Sequence, residues 1–75
     1  MRGLIDVDVA DVTFDGVRFT GTMLSEHIEG RGIQENSDLP YSMFTFVGTI
    51  DRGQYAGMNI LVAVYDCDGS GILFS

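Results

Sequence analysis

The chain has no lysine and no tryptophan, and only one cysteine, one histidine and one proline. Each scarcity excludes something. Cys67 has no second thiol to pair with, which excludes a disulfide-stapled domain and points to a reducing, cytoplasmic setting. His27 is the only imidazole, too few for a zinc site built from histidines. The longest apolar run, residues 60–65, is far short of the roughly 20 residues that cross a bilayer. The N-terminal apolar stretch meets Asp6 too early to read as a signal peptide.

The missing lysine matters most. Four Arg stand against eight Asp and three Glu, for a net charge of −7. Such a chain repels nucleic acid and anionic membrane surfaces, so neither is an expected ligand. A basic protein partner is attracted instead, and its capture is steered by charge. Two plainer accounts compete: charge that keeps a small domain dispersed, and the compositional bias of a GC-rich or salt-adapted genome.

Residues 1–75 are read as one domain. A chain of this length buries roughly 60% of its unfolded surface, enough for a thin core and too little for a deep, dry active site. The apolar fraction of 45% is too high for a disordered tail.

The first segment alternates, with Ile5, Val7 and Val9 on one face and Asp6 and Asp8 on the other. The phase then slips, since Val12 and Phe14 are apolar at even positions. One extra residue near Ala10-Asp11 repairs it, so a β-bulge is predicted there, with Asp11 outward beside Asp6 and Asp8. Asp15-Gly16 suits a two-residue hairpin turn. That turn pairs Phe14 with Val17, Thr13 with Arg18, Val12 with Phe19 and Asp11 with Thr20. The second strand continues through Gly21 and Met23.

Residues 25–41 hold few aliphatics and many polar groups. They read as a long exposed loop, with one helical turn over residues 25–29 capped by Ser25 and ended by Gly30. A second start at Ser37, with Pro40 in the first turn, is an alternative. Residues 43–50 read as a strand, Asp51-Arg52-Gly53 as a three-residue turn with a left-handed Gly, and residues 58–65 as a central strand covered on both faces. Residues 66–71 read as a turn before a short last strand, Ile72-Leu73-Phe74. The expected fold is mainly β, with α+β as the variant. About five antiparallel strands form a curled sheet or small open barrel, with one helical turn in the central loop.

Few constellations carry chemistry. Asp66-Cys67-Asp68-Gly69-Ser70-Gly71-Ile72 resembles the first half of an EF-hand calcium loop. No bidentate Glu follows it and no helix precedes it, so an ordinary turn is the expectation. Glu26-His27-Ile28-Glu29 joins the one His to two carboxylates, too few ligands for a metal site. Asp66 and Asp68 flank Cys67 and disfavour its thiolate, so it reads as a small, partly buried filler. Gly30-Arg31-Gly32 reads as a flexible Arg tip. No paired acid and base or activated nucleophile can be assembled, so neither an enzyme nor a cofactor or metal is expected.

The acidic set Asp6, Asp8, Asp11 and Asp15 is the strongest functional feature. Alternate strand residues lie roughly 6.5–7 Å apart, comparable to the separation of successive phosphates on one nucleic-acid strand. Glu26, Glu29, Glu35 and Asp38 extend the set. The plain alternative is a solvated sheet face that resists edge-to-edge aggregation. In size and charge the chain resembles small acidic phage-encoded antagonists of host defence, anti-CRISPR proteins among them. That resemblance implies an inhibitor, acting in the host cytoplasm, that fills the basic groove of a nucleic-acid-handling protein. The other reading is a structural β module that self-assembles or joins a larger complex, motivated by the apolar residues 60–64 and 72–74.

Overall fold

Alternating patterns drive the chain into strands, and a sheet this small can bury its apolar side by closing on itself. A computed structural model describes residues 4–35 and 42–75. Six strands follow in order: β1 (Ile5–Phe14), β2 (Arg18–Met23), β3 (Glu26–Glu35), β4 (Phe44–Ile50), β5 (Asn59–Tyr65) and β6 (Asp68–Phe74). Each pairs antiparallel with the next, and β6 returns to pair with β1, closing the barrel. Among the described residues there is no helix long and apolar enough to cross a membrane.

The mainly β reading holds, with six strands in place of about five. The bulge is where the phase slip put it. Ala10 pairs with Thr22 and Thr13 with Thr20, so Asp11 and Val12 together oppose Gly21. Asp11 adopts φ 53°, a left-handed conformation that Asp tolerates better than most residues. The Val12 N–H donates to the Cys67 carbonyl oxygen at 2.8 Å, tying the bulge to the β5–β6 turn.

The first hairpin departs from the expected register. Phe14 pairs with Phe19 and Thr13 with Thr20, two residues away from the two-residue-loop pairing. The cause is the Asp15 carboxylate. Its Oδ1 accepts from the Val17 N–H at 2.9 Å and the Arg18 N–H at 2.8 Å, stabilising a longer loop. A slip of two keeps every side chain on its face, so Phe14 and Phe19 still point inward. Val17 is left exposed in the loop.

The expected helical turn at residues 25–29 is a strand start. Leu24 and Ser25 both take positive φ, 52° and 68°. They form a two-residue turn that pairs Met23 with Glu26 and sends β3 back along β2. Gly30 neither ends a helix nor forms a loop tip. It faces the interior, where a Cβ would collide with the Phe19 ring and the Thr49 carbonyl oxygen. Arg31 accordingly lies on a strand, not on a flexible tip. The alternative start at Ser37 lies outside the described residues.

Three boundaries also shift. The loop after β4 is longer than three residues, although Gly53 is left-handed as expected, with φ 91°. The final turn is only Asp66-Cys67, because Tyr65 already pairs with Asp68 and β6 runs for seven residues. Cys67 is exposed in that turn, not partly buried. Strand β5 sends Ile60, Val62 and Val64 into the core, but Leu61 faces outward and is 40% exposed, so the strand is not covered throughout.

The core runs around the barrel: Val7 and Val9 from β1, Phe19 and Met23 from β2, Ile28 from β3, Phe46 and Ile50 from β4, Ile60, Val62 and Val64 from β5, and Leu73 from β6. Phe46 is its hub. Its ring lies 4.7 Å from that of Phe19 and 4.9 Å from that of Phe14, centroid to centroid, and Phe44 stacks on Phe14 at 5.8 Å.

Replacing Phe46 by Ala removes this hub and is expected to cost about 3–5 kcal/mol. That is much of the roughly 4–11 kcal/mol typical for a domain of this length, so chemical denaturation should show a partly unfolded protein in water. At the bulge, Asp11→Gly should leave the unfolding midpoint near the parent value, whereas Asp11→Val should cost about 1–2 kcal/mol because a β-branched residue resists positive φ.

Candidate functional site

Strand β1 pairs with β6 through residues 5–9 and with β2 through residues 9–14. Its inward residues Val7 and Val9 are buried, and the pleat turns Asp6 and Asp8 outward. Asp8 lies opposite Ser70 and Asp6 opposite Ile72. Asp11, pushed out by the bulge, is exposed as well. The structure therefore brings together three of the predicted residues, Asp6, Asp8 and Asp11.

It adds two that sequence reasoning had assigned to a turn. The bond from Val12 to Cys67 brings Asp66 and Asp68 up against the bulge. Asp8 and Asp68 line one shallow depression with Val9, Ala10, Thr22 and Leu24. No local signal marked Asp66 and Asp68, because their position follows from the pairing of β6 with β1. Glu26 follows the Leu24-Ser25 turn that walls this depression, so it borders the acidic face.

The other predicted acids are elsewhere. Asp15 is held in the first hairpin. The N–H groups of Arg18 and Val17 bond its carboxylate and hold its pKa below the ordinary aspartate value of 3.8. Glu29 lies on β3, 3.7 Å from Arg18 Nη2 and 3.3 Å from His27 Nε2. Asp51 sits beside it, 3.5 Å from Arg18 and 3.8 Å from Arg31. Glu35 is exposed at the end of β3, and its carbonyl oxygen accepts from the Thr45 hydroxyl. Asp38 lies outside the described residues.

Charge is thus segregated. Arg18, Arg31 and Arg52 fall on β2, β3 and the β4–β5 loop; Arg18 meets Glu29 and Asp51, and Arg31 meets Asp51. Strands β1, β5 and β6 contain no cationic residue, so among the described residues Asp6, Asp8, Asp11, Asp66 and Asp68 share a face with no internal counter-charge. Chemically, this face offers carboxylate oxygens to a cationic surface. Among the described residues no group of three or more His, Cys, Asp or Glu is placed to hold a metal ion.

Comparison with known proteins gives no lead: no family model, curated protein or solved structure matches the chain.

The lowered pKa of Asp15 sets a pH test. A carboxylate whose folded pKa is depressed stabilises the protein above its unfolded pKa, and that stability is lost as pH falls through the folded value. Asp15→Ala should therefore lower the melting temperature at neutral pH. The gap from the parent should stay constant down to the ordinary aspartate range and close below 3.8. Thermal melts of both proteins across acid pH give the comparison.

Proposed function

We propose that this protein is a small acidic inhibitor that binds a basic, nucleic-acid-handling protein and occupies the groove meant for nucleic acid. The observation that carries this reading is the face formed by Asp6, Asp8, Asp11, Asp66 and Asp68, which holds no cation among the described residues. Asp6 and Asp8 at alternate positions of β1, followed by Asp11 across the bulge, supply a row of negative charge on one strand. A rigid acidic row suits a basic groove better than a mobile tail does, because little ordering entropy is lost on binding. In this reading the protein acts by occupancy, without catalysis, in the cytoplasm of a cell whose defence machinery it blocks. The size and charge of the chain support a phage anti-defence role of anti-CRISPR type.

Salt dependence and competition test this together. Pull-down from bacterial lysate should recover a nucleic-acid-binding protein that a salt step releases and that competing DNA or RNA displaces. Asp6→Asn, Asp8→Asn and Asp11→Asn combined keep the size of each side chain and tolerate the bulge conformation. That variant should fold normally by circular dichroism, yet bind the recovered partner about tenfold or more weakly, equivalent to about 1.4 kcal/mol. Unchanged affinity in the folded triple variant rules out the acidic face as the binding surface.

A further inference from the structure

The outer wall of the barrel carries a second feature, independent of the acidic face. Ile33 on β3 pairs with Val47 on β4, Val47 with Leu61 on β5, and Leu61 with Ile72 on β6. The pleat turns all four outward, since their inward neighbours are core positions such as Phe46, Ile60, Val62 and Leu73. They form one unbroken aliphatic row across four adjacent strands. Ile33 is 60% exposed and Leu61 40%, with Val47 and Ile72 half-buried beside them. At roughly 4.8 Å per strand the row is about 14 Å long. Barrel strands tilt about 35–45° from the axis, so a row perpendicular to them climbs obliquely along the barrel and is less curved than a hoop.

The charges flanking this row have opposite signs and symmetric places. Arg31 and Glu35 stand on β3, two residues to either side of Ile33; both are exposed, and Arg31 also lies 3.8 Å from Asp51 of its own chain. The six flanking positions on β4, β5 and β6 are uncharged; Thr45 and Ala63 among them are buried, while Thr49, Asn59, Ser70 and Phe74 keep some exposure. Now consider a two-fold axis lying along the aliphatic row, between two copies packed face to face. It sets each aliphatic residue against its own counterpart and exchanges the two flanks. Arg31 of each copy then faces the partner's Glu35, twice over. An isologous interface requires such self-complementarity. A standard interface takes about 800 Å² from each partner. That is roughly one sixth of the 4781 Å² accessible surface, so the contact draws on the exposed flanking residues as well as the row, with Thr45 and Ala63 adding almost nothing.

We propose that the outer face of β3–β6 is a homodimer interface, with the Ile33–Val47–Leu61–Ile72 row packed on its own copy and reciprocal Arg31–Glu35 pairs fixing the register. The inference stands apart from the inhibitor reading and has the opposite salt dependence. Two bodies of charge −7 repel, so screening by salt strengthens dimerisation, whereas it weakens capture of a basic partner. Asp6 extends the row beyond Ile72 on β1 and lies near its own copy across the axis.

Sedimentation equilibrium of the full chain from micromolar to millimolar concentration, at low and moderate salt, tests this. Expected is a monomer–dimer equilibrium that shifts toward dimer as salt rises. Leu61→Asp should weaken it about tenfold or more while the circular dichroism spectrum stays native. Asp6→Asn should tighten it, although the same change weakens an acidic-face contact. The decisive experiment mixes two single variants. Arg31→Glu and Glu35→Arg should each self-associate poorly, yet form a heterodimer with one another, because every pair across the axis is then complementary. A monomer at all concentrations and salts overturns the proposal. So does a dimer indifferent to Leu61→Asp, or a mixture that associates no better than its components.

Discussion

Strand β1 is shared between two neighbours, and the rest of the barrel depends on that sharing. Its first half hydrogen-bonds to β6 and its second half to β2, with Val9 common to both ladders. A straight ten-residue strand fits this role poorly, because closing so small a sheet demands a sharp bend. The bulge at Asp11-Val12 supplies the bend. It also frees the Val12 N–H to bond Cys67, which fastens the β5–β6 turn where the barrel closes. The residue that closes the fold is therefore also one of the residues that charge its surface.

This coupling explains the segregation of charge. The interior is filled by aliphatics and by a cluster of four Phe rings centred on Phe46, so the acidic residues of β1 and β6 have no role in the core and face water. Arg18 on β2 and Arg31 on β3 are neutralised across the surface by Glu29 and Asp51. Exposed pairs of this kind contribute little stability individually. Their larger consequence is that neither Arg18 nor Arg31 is paired with Asp6, Asp8 or Asp11. The acidic face adjoins the aliphatic row at the Asp6–Ile72 pair, so two surfaces of opposite salt response share one border.

Much of the fold was legible. The phase slip between Val9 and Val12 located the bulge, and the alternation of β1 put Asp6, Asp8 and Asp11 outward. The β-branched residues 60–65 marked β5. What escaped was β3. Two of its inward positions are Gly30 and Gly32, which leave no apolar signature, and its entry turn, Leu24-Ser25, lacks the Gly or Asn that usually marks positive φ. Glycine is used there because Phe19 and the β4 backbone already fill the space. A strand whose inner face is completed by its neighbours' side chains looks like a polar loop in one dimension. The first hairpin escaped for a different reason: the Asp15 side chain, and not the Asp-Gly dipeptide alone, chose the loop length.

The sequence by itself determined what depends on local period and composition: strands, the position of the bulge, the sign of the net charge and the outward direction of the β1 carboxylates. Tertiary structure alone decided what depends on registers between strands. Closure of β6 on β1 placed Asp66 and Asp68 beside Asp8 and Asp11, and sent Asp15 and Glu29 to other tasks. It also aligned Ile33, Val47, Leu61 and Ile72, which are far apart in the chain, into one row. Period along a strand is written in neighbouring residues, whereas alignment across strands is set by turn lengths, a bulge and the way large and small side chains fill the barrel together.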